Sequence, residues 1–177
     1  MGALDPMSDR LAVLVDFSGS LWNVRTDGTT RKERLDPEVD GLLGRLLPGT
    51  ELYFAAFTAD VHPFEPAPVR ASRARVRELH SFFRRARMRG QGDAHGAILA
   101  ALAQPSIDRI MLVTDGAPTG GRRWNVDVIV DRVLERTRFR PVTFDVVLHG
   151  AGRGAQRRWA RLTARTGGRL VVVDESP

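Results

Sequence analysis

Fully apolar segments alternate with segments of helical periodicity along this 177-residue chain, and that alternation limits its possible folds more than any other feature. The runs LAVLV (11–15), LYFAAF (52–57), IMLV (110–113) and LVVV (170–173) are apolar without a break, and TFDVVLH (143–149) is nearly so. Strands of this kind are buried on both faces. Between them, Leu35, Val39, Leu42, Leu43 and Leu46 form one helical stripe, and Val76, Leu79, Phe83 and Ala86 form another. Strands joined through helices pair in parallel, with helices covering both faces of the sheet.

The same reading places the remaining elements. A helix is expected over 35–47, with Asp36 as its cap, Pro37 in its first turn and Pro48-Gly49 as its stop. Pro63 in VHPF confines that short strand to a sheet edge. Helices follow over 72–86, 94–103, 125–135 and 155–166, the last stopped by Gly167-Gly168, and RGQGD (89–93) is a glycine-rich loop. The expected architecture is α/β: a doubly wound, Rossmann-like three-layer sandwich. Its mostly parallel six-stranded sheet carries one antiparallel edge strand. Residues 1–8 read as a cloning remnant, and 9–177 as a single domain excised from a longer protein.

Two of the apolar strands end in an acid, and the first is followed by alternate hydroxyls: LAVLVDFSGS and IMLVTDG. Sites in open parallel sheets lie beyond the carboxyl ends of the strands, at the switch point of the winding. Asp16 and Asp115 therefore belong to one edge, and stand side by side if their strands are neighbours. Asp16, Ser18 and Ser20 suit either of two roles. They are a turn that caps a helix, or they are part of a cage for a hard dication, which takes about six oxygens and keeps some water. In the cage, the glycine-rich loop is the second wall and Asp115 belongs to the third.

These motifs resemble the von Willebrand factor type A family. Its metal-ion-dependent adhesion site is written Asp-x-Ser-x-Ser, a threonine in a glycine-rich loop, and a later Asp. DFSGS matches the first part, LVTDG the last, and the FAAFTADVHPF hairpin and order of elements are similar over residues 10–174. The resemblance implies that Asp16, Ser18, Ser20 and Asp115 hold magnesium, or manganese or calcium in its place. It implies a protein-interaction module that offers the metal's open position to an acidic side chain of a partner protein or neighbouring domain. One position departs from the pattern: Gly92 stands where the threonine is expected. Asp93 beside it either supplies the missing ligand or caps the helix beginning at Ala94. A third carboxylate would leave the loaded site negative and poor at recruiting an acid, which favours the cap.

The net charge is +6, carried by arginine with Lys32 as the single lysine. Arg122, Arg123 and Trp124 follow TDGAPTGG and are expected on the rim of the metal edge, where they favour an acidic protein ligand. An RNA-binding reading of the arginines between 70 and 89 is weaker. Arg73, Arg77 and Arg84 fall opposite the apolar stripe, and no aromatic residues alternate with them as stacking platforms. An enzymatic reading also exists. Gly150, Gly152 and Ala155 have a dinucleotide-like spacing followed by Asp174, and magnesium-dependent phosphoryl chemistry could use the same strand ends. Ser18 and Ser20 have no local base, and His62, His80, His95 and His149 lack zinc-ligand spacing, so no catalytic residue is assigned. The absence of cysteine excludes disulfides and thiolate metal sites. No apolar run approaches the roughly 20 residues that span a bilayer, and a bacterial, cytoplasmic setting is the expectation.

Overall fold

The computed structural model describes residues 8–24 and 27–173. In chain order the strands are β1 (Arg10–Asp16), β2 (Glu51–Phe57), β3 (Val61–Pro63), β4 (Val69–Arg70), β5 (Arg109–Thr114), β6 (Thr143–His149) and β7 (Leu170–Val173). The helices are α1 (Arg31–Gly44), α2 (Arg73–Arg85), α3 (Ala94–Leu102), α4 (Val126–Arg136) and α5 (Arg153–Thr166), and Gly19–Trp22 forms one 3-10 turn. The sheet runs β3-β2-β1-β5-β6-β7, parallel except at its β3 edge. This is the expected mostly parallel path. The two-residue strand β4 adds a second antiparallel pairing to β2, along the edge that β3 only partly covers.

Side chains of β1 alternate between two cores, as the pleat requires. Leu11, Val13 and Val15 pack with Leu35, Val39, Leu42 and Leu43 of α1 and with Leu79 and Phe83 of α2. Ala12 and Leu14 face the other layer, with Ala97 and Ile98 of α3, Ile129 and Val133 of α4, and Trp159 of α5. The winding reverses between β1 and β5, which are direct neighbours with Val15 opposite Val113. Asp16 and Asp115 are thereby brought to one edge.

Helix α1 begins four residues before the expected start, which corrects the assignment of its cap. Thr30 accepts from the Glu33 amide, and the Glu33 carboxylate accepts from the Thr30 amide, a reciprocal capping box. Asp36 is not a cap; it pairs with Lys32 one turn earlier. Pro37 lies inside the helix. The extra turn buries Lys32, whose ammonium stands 4.0 Å from the centre of the Phe83 ring. Asp40 ties α1 to α2 by accepting from His80 and Arg84. Asp93 caps α3 and Gly167, at a φ of 72°, ends α5, as the sequence suggests; Ser72 caps α2 and Asn125 caps α4. Among the described residues no helix is long and apolar enough to cross a membrane.

Candidate metal centre

Three loops meet beyond the carboxyl ends of β1 and β5, and backbone hydrogen bonds fix their approach. The Gly19 amide donates to Gly90 O at 2.9 Å, and the Trp22 indole donates to Met88 O at 2.8 Å. The Asp93 amide donates to Thr58 O at 2.8 Å. Thr119 and Gly120 both donate to Gly92 O at 3.2 Å, and the Gly92 amide returns a bond to Thr119 Oγ1 at 3.0 Å. The loop after β5 is anchored from below, where the Trp159 indole donates to Gly116 O at 3.1 Å. Gly116 is at a φ of 81°, and an added Cβ would lie 3.1 Å from Leu148 Cδ2 and 3.2 Å from Ala155 Cβ. Glycine is required there on both counts.

Asp16 is at the floor, 5% exposed. Its Oδ1 accepts from the Ser18 amide at 2.8 Å and its Oδ2 from Thr114 Oγ1 at 2.7 Å. Burial pushes its carboxyl above the ordinary carboxylate range, against the lowering effect of the Thr114 and Ser18 hydrogen bonds, and Asp115 adds to the rise. A cation bound here would reverse that balance. Ser18 Oγ and Ser20 Oγ lie 3.2 Å apart. Asp115 Oδ1 accepts from the Ala117 amide at 3.0 Å, while its Oδ2 stands 3.8 Å from Arg31 Nη1. These groups, with Leu21, Leu35, Val113 and His149, line a cavity of about 20 Å³, the size of a single water or small ion. A groove of about 700 Å³ between α2 and the segment after β3 shares no lining residue with it.

The structure brings Asp16, Ser18, Ser20 and Asp115 around that cavity, and Gly92 lies against Asp16 and Ser18. A Cβ on Gly92 would lie 3.2 Å from Asp16 Oδ1 and 3.3 Å from Ser18 Cβ, so a side chain at this position would enter the cage. Asp93 instead turns to its own helix, its Oδ1 accepting from the Gly96 amide at 2.8 Å, and it abuts Gly121. Trp124 is 67% exposed in the segment leading to α4. Arg123 lines a different cavity, with His95. Of the dinucleotide-like motif, Gly152 caps α5 without a side chain and Asp174 lies outside the described residues.

Sequence reasoning missed two participants, Thr114 and Arg31. Thr114 was visible as the hydroxyl preceding Asp115. Arg31 was signalled by Thr30-x-x-Glu33, a capping-box spacing that starts α1 against the strand ends. Among the described residues no group of three or more His, Asp or Glu side chains gathers for a metal. The donor set at the Asp16 edge is two carboxylates and hydroxyls, which suits a hard, partly hydrated cation rather than zinc.

No family model matches the sequence, and no curated protein matches it. Solved structures do match. A von Willebrand factor type A protein from Catenulispora acidiphila superposes with a TM-score of 0.73 at 16% identity, over 92% of this chain and 38% of that one. This chain therefore spans about two fifths of that structure. The SpRpn10 VWA domain gives a TM-score of 0.65 at 14% identity, over 94% of this chain and 88% of its own. Manganese-loaded TRAP protein from Plasmodium vivax gives 0.59 at 21% identity, over 93% of this chain and 67% of its own. The strand order, the hairpin at the β3 edge and these superpositions agree: the chain has the von Willebrand factor type A fold.

Proposed function

We propose that this chain is a protein-interaction module, a single domain over residues 9–177, that holds a magnesium- or manganese-class ion at the Asp16–Asp115 edge. The observation that carries this reading is the convergence of Asp16, Ser18, Ser20 and Asp115 on one ion-sized cavity at the switch point of the sheet. The manganese in the similar TRAP structure supports it. A bound ion supplies a Lewis-acid position at which an acidic side chain of a partner protein can bind.

The chain's own residues set the terms of that capture. Asp16 is oriented by the Ser18 amide and the Thr114 hydroxyl, so its carboxylate is fixed before any ion arrives. Ser18 and Ser20 present neutral oxygens, which keeps the site's negative charge to two carboxylates. Asp93 caps α3 and stays out of the cage. A dication balanced by two carboxylates retains affinity for an incoming acid.

Thermal unfolding in millimolar magnesium or manganese tests the reading. A native-state ligand at 100 times its dissociation constant stabilises by about 2.7 kcal/mol. The wild type should gain stability on this scale, and Asp115→Ala should lose the gain while keeping its circular dichroism. An unchanged wild-type melt across both metals would overturn the metal reading.

A further inference from the structure

We infer that the cavity between α3 and α4 is a binding site for a phosphate monoester, separate from the metal edge. It measures about 450 Å³ and is lined by His95, Leu99, Arg123, Arg132, Glu135 and Arg136. Three guanidinium groups and an imidazole thus face one carboxylate. That carboxylate is already engaged, since Arg132 Nη1 donates to Glu135 Oε2 at 2.8 Å. Arg123 and Arg136 have no carboxylate partner among the described residues.

His95 provides the second, independent observation. It is 6% exposed, yet its imidazole makes no hydrogen bond among the described residues. Neither ring nitrogen is among the fully buried side-chain atoms that lack a partner, so the unbonded ring edge keeps contact with solvent at the cavity. The groups facing this ring are Arg123 and Arg136, from the loop after β5 and from α4, and Asp93 at the start of its own helix. Burial and then Arg123 drive the ring toward its neutral form, Asp93 opposes them, and Arg136 acts with Arg123. The pocket floor is therefore a region of positive potential with an unused ring donor. The apolar wall is Leu99.

Charge and shape select the ligand class. One carboxylate would neutralise one of the two unpaired guanidiniums. A phosphate monoester carries a charge near −1.5 to −2 at neutral pH and three acceptor oxygens. It can accept from the planar forks of Arg123 and Arg136 together with a His95 ring N–H. The volume leaves room for the ester's organic part against Leu99. The assignment does not depend on metal binding, because no cavity-lining residue is shared with the Asp16 edge.

The test is an NMR titration of the histidine ring signals with inorganic phosphate, O-phosphoserine and AMP, with acetate as the carboxylate control. Saturable movement of the His95 signals is expected at phosphate concentrations at least tenfold below those needed with acetate. Arg123→Gln combined with Arg136→Gln should weaken phosphate at least tenfold. Arg73→Gln combined with Arg77→Gln, on the exposed face of α2, should leave it unchanged. Tighter binding of O-phosphoserine than of phosphate supports the site and points to a phosphorylated protein, whereas tighter AMP supports it and points to a nucleotide. Acetate binding as well as phosphate, equal loss in the two arginine pairs, or an unmoved His95 in the wild type would each overturn the assignment.

Discussion

Arg31 Nη1 stands 3.8 Å from Asp115 Oδ2 at the mouth of the Asp16 cavity, so the chain sets its own cation against one of the two carboxylates that would hold a metal. Both side chains are mostly buried, at 23% and 18% exposure, which leaves the interaction only partly screened. At an effective dielectric near 20, unit charges about 4 Å apart interact by roughly 4 kcal/mol, and exposed pairs retain about 1 kcal/mol or less. Arg31 therefore opposes a dication and favours an incoming anion.

The expected result for Arg31→Gln is a split. Magnesium or manganese should bind severalfold more tightly by calorimetry, because the competing charge is gone. An acidic peptide partner, measured at saturating metal, should bind more weakly. If metal affinity falls instead, Arg31 supports the cage through its contacts rather than competing with the ion.

Gly92 and Asp93 separate the two functions that the sequence left open at this loop. Gly92 is not among the glycines with positive φ, so the backbone accepts a threonine. Its side chain would enter within 3.2 Å of Asp16 Oδ1, adding a hydroxyl to the cage and crowding it. Gly92→Thr should tighten metal binding while costing the metal-free fold about 1–3 kcal/mol. Asp93→Ala should cost about 0.5–2 kcal/mol through its lost cap and leave manganese affinity nearly unchanged. A large affinity loss in Asp93→Ala would show that the carboxylate reaches the metal.

The fold was legible because β1, β2 and β5 are apolar without interruption, and only a parallel sheet buried on both faces uses such strands. The ligand candidates were legible for a related reason: acids and hydroxyls at the ends of buried strands have few structural uses. Arg31 was not found because the start of α1 was set by Pro37 and Asp36, whose first-turn preferences are statistical. The Thr30–Glu33 box wins because it satisfies two otherwise orphaned amides, even though it places Pro37 in the helix interior, where the bond to the Glu33 carbonyl is lost. Lys32 followed from the same error. It lies in the extra turn and is buried over Phe83. The His95 cavity was beyond reach, since it depends on the loop after β5 folding Arg123 toward α3. No sequence spacing records that approach.

Asp16 should reveal a cost of keeping the site. Its folded pKa is raised above the unfolded value of about 3.9 by burial, against the Thr114 and Ser18 hydrogen bonds. The folded state therefore holds the proton more tightly than the unfolded state. Stability is lost as pH rises from the unfolded pKa through the folded one, and stays lost above it. Asp16→Asn keeps a carbonyl oxygen for the Ser18 amide and removes the charge. Without metal, the variant should melt progressively higher relative to wild type as pH rises from 4 toward neutrality. With magnesium the order should reverse, because only the wild type binds the ion. A constant difference across this range would show that Asp16 is not the group carrying the pH dependence.

Nearer the opposite end of the sheet, Asp145 on β6 contrasts with the proposed metal ligands, because the protein itself engages its carboxylate. Its Oδ2 accepts from Arg109 Nε at 2.6 Å and its Oδ1 from Arg109 Nη2 at 2.9 Å, a bidentate pair joining β5 to β6. The Arg169 amide also donates to Oδ1 at 2.8 Å, which fixes the chain as it enters β7. Asp145 is 2% exposed, and both of its oxygens accept from the protein. Removing one partner of a buried pair strands the other charge, at a cost of about 3–5 kcal/mol. Asp145→Ala should therefore lower stability by that amount in urea melts, and also free the Arg169 amide. The magnesium-induced gain in stability should persist in the variant, because the metal edge lies at the other end of the sheet. The double variant Arg109→Met with Asp145→Leu should recover part of the loss, since no unpaired charge remains. Loss of the magnesium effect in a folded Asp145→Ala protein would mean that the two ends of the sheet are coupled.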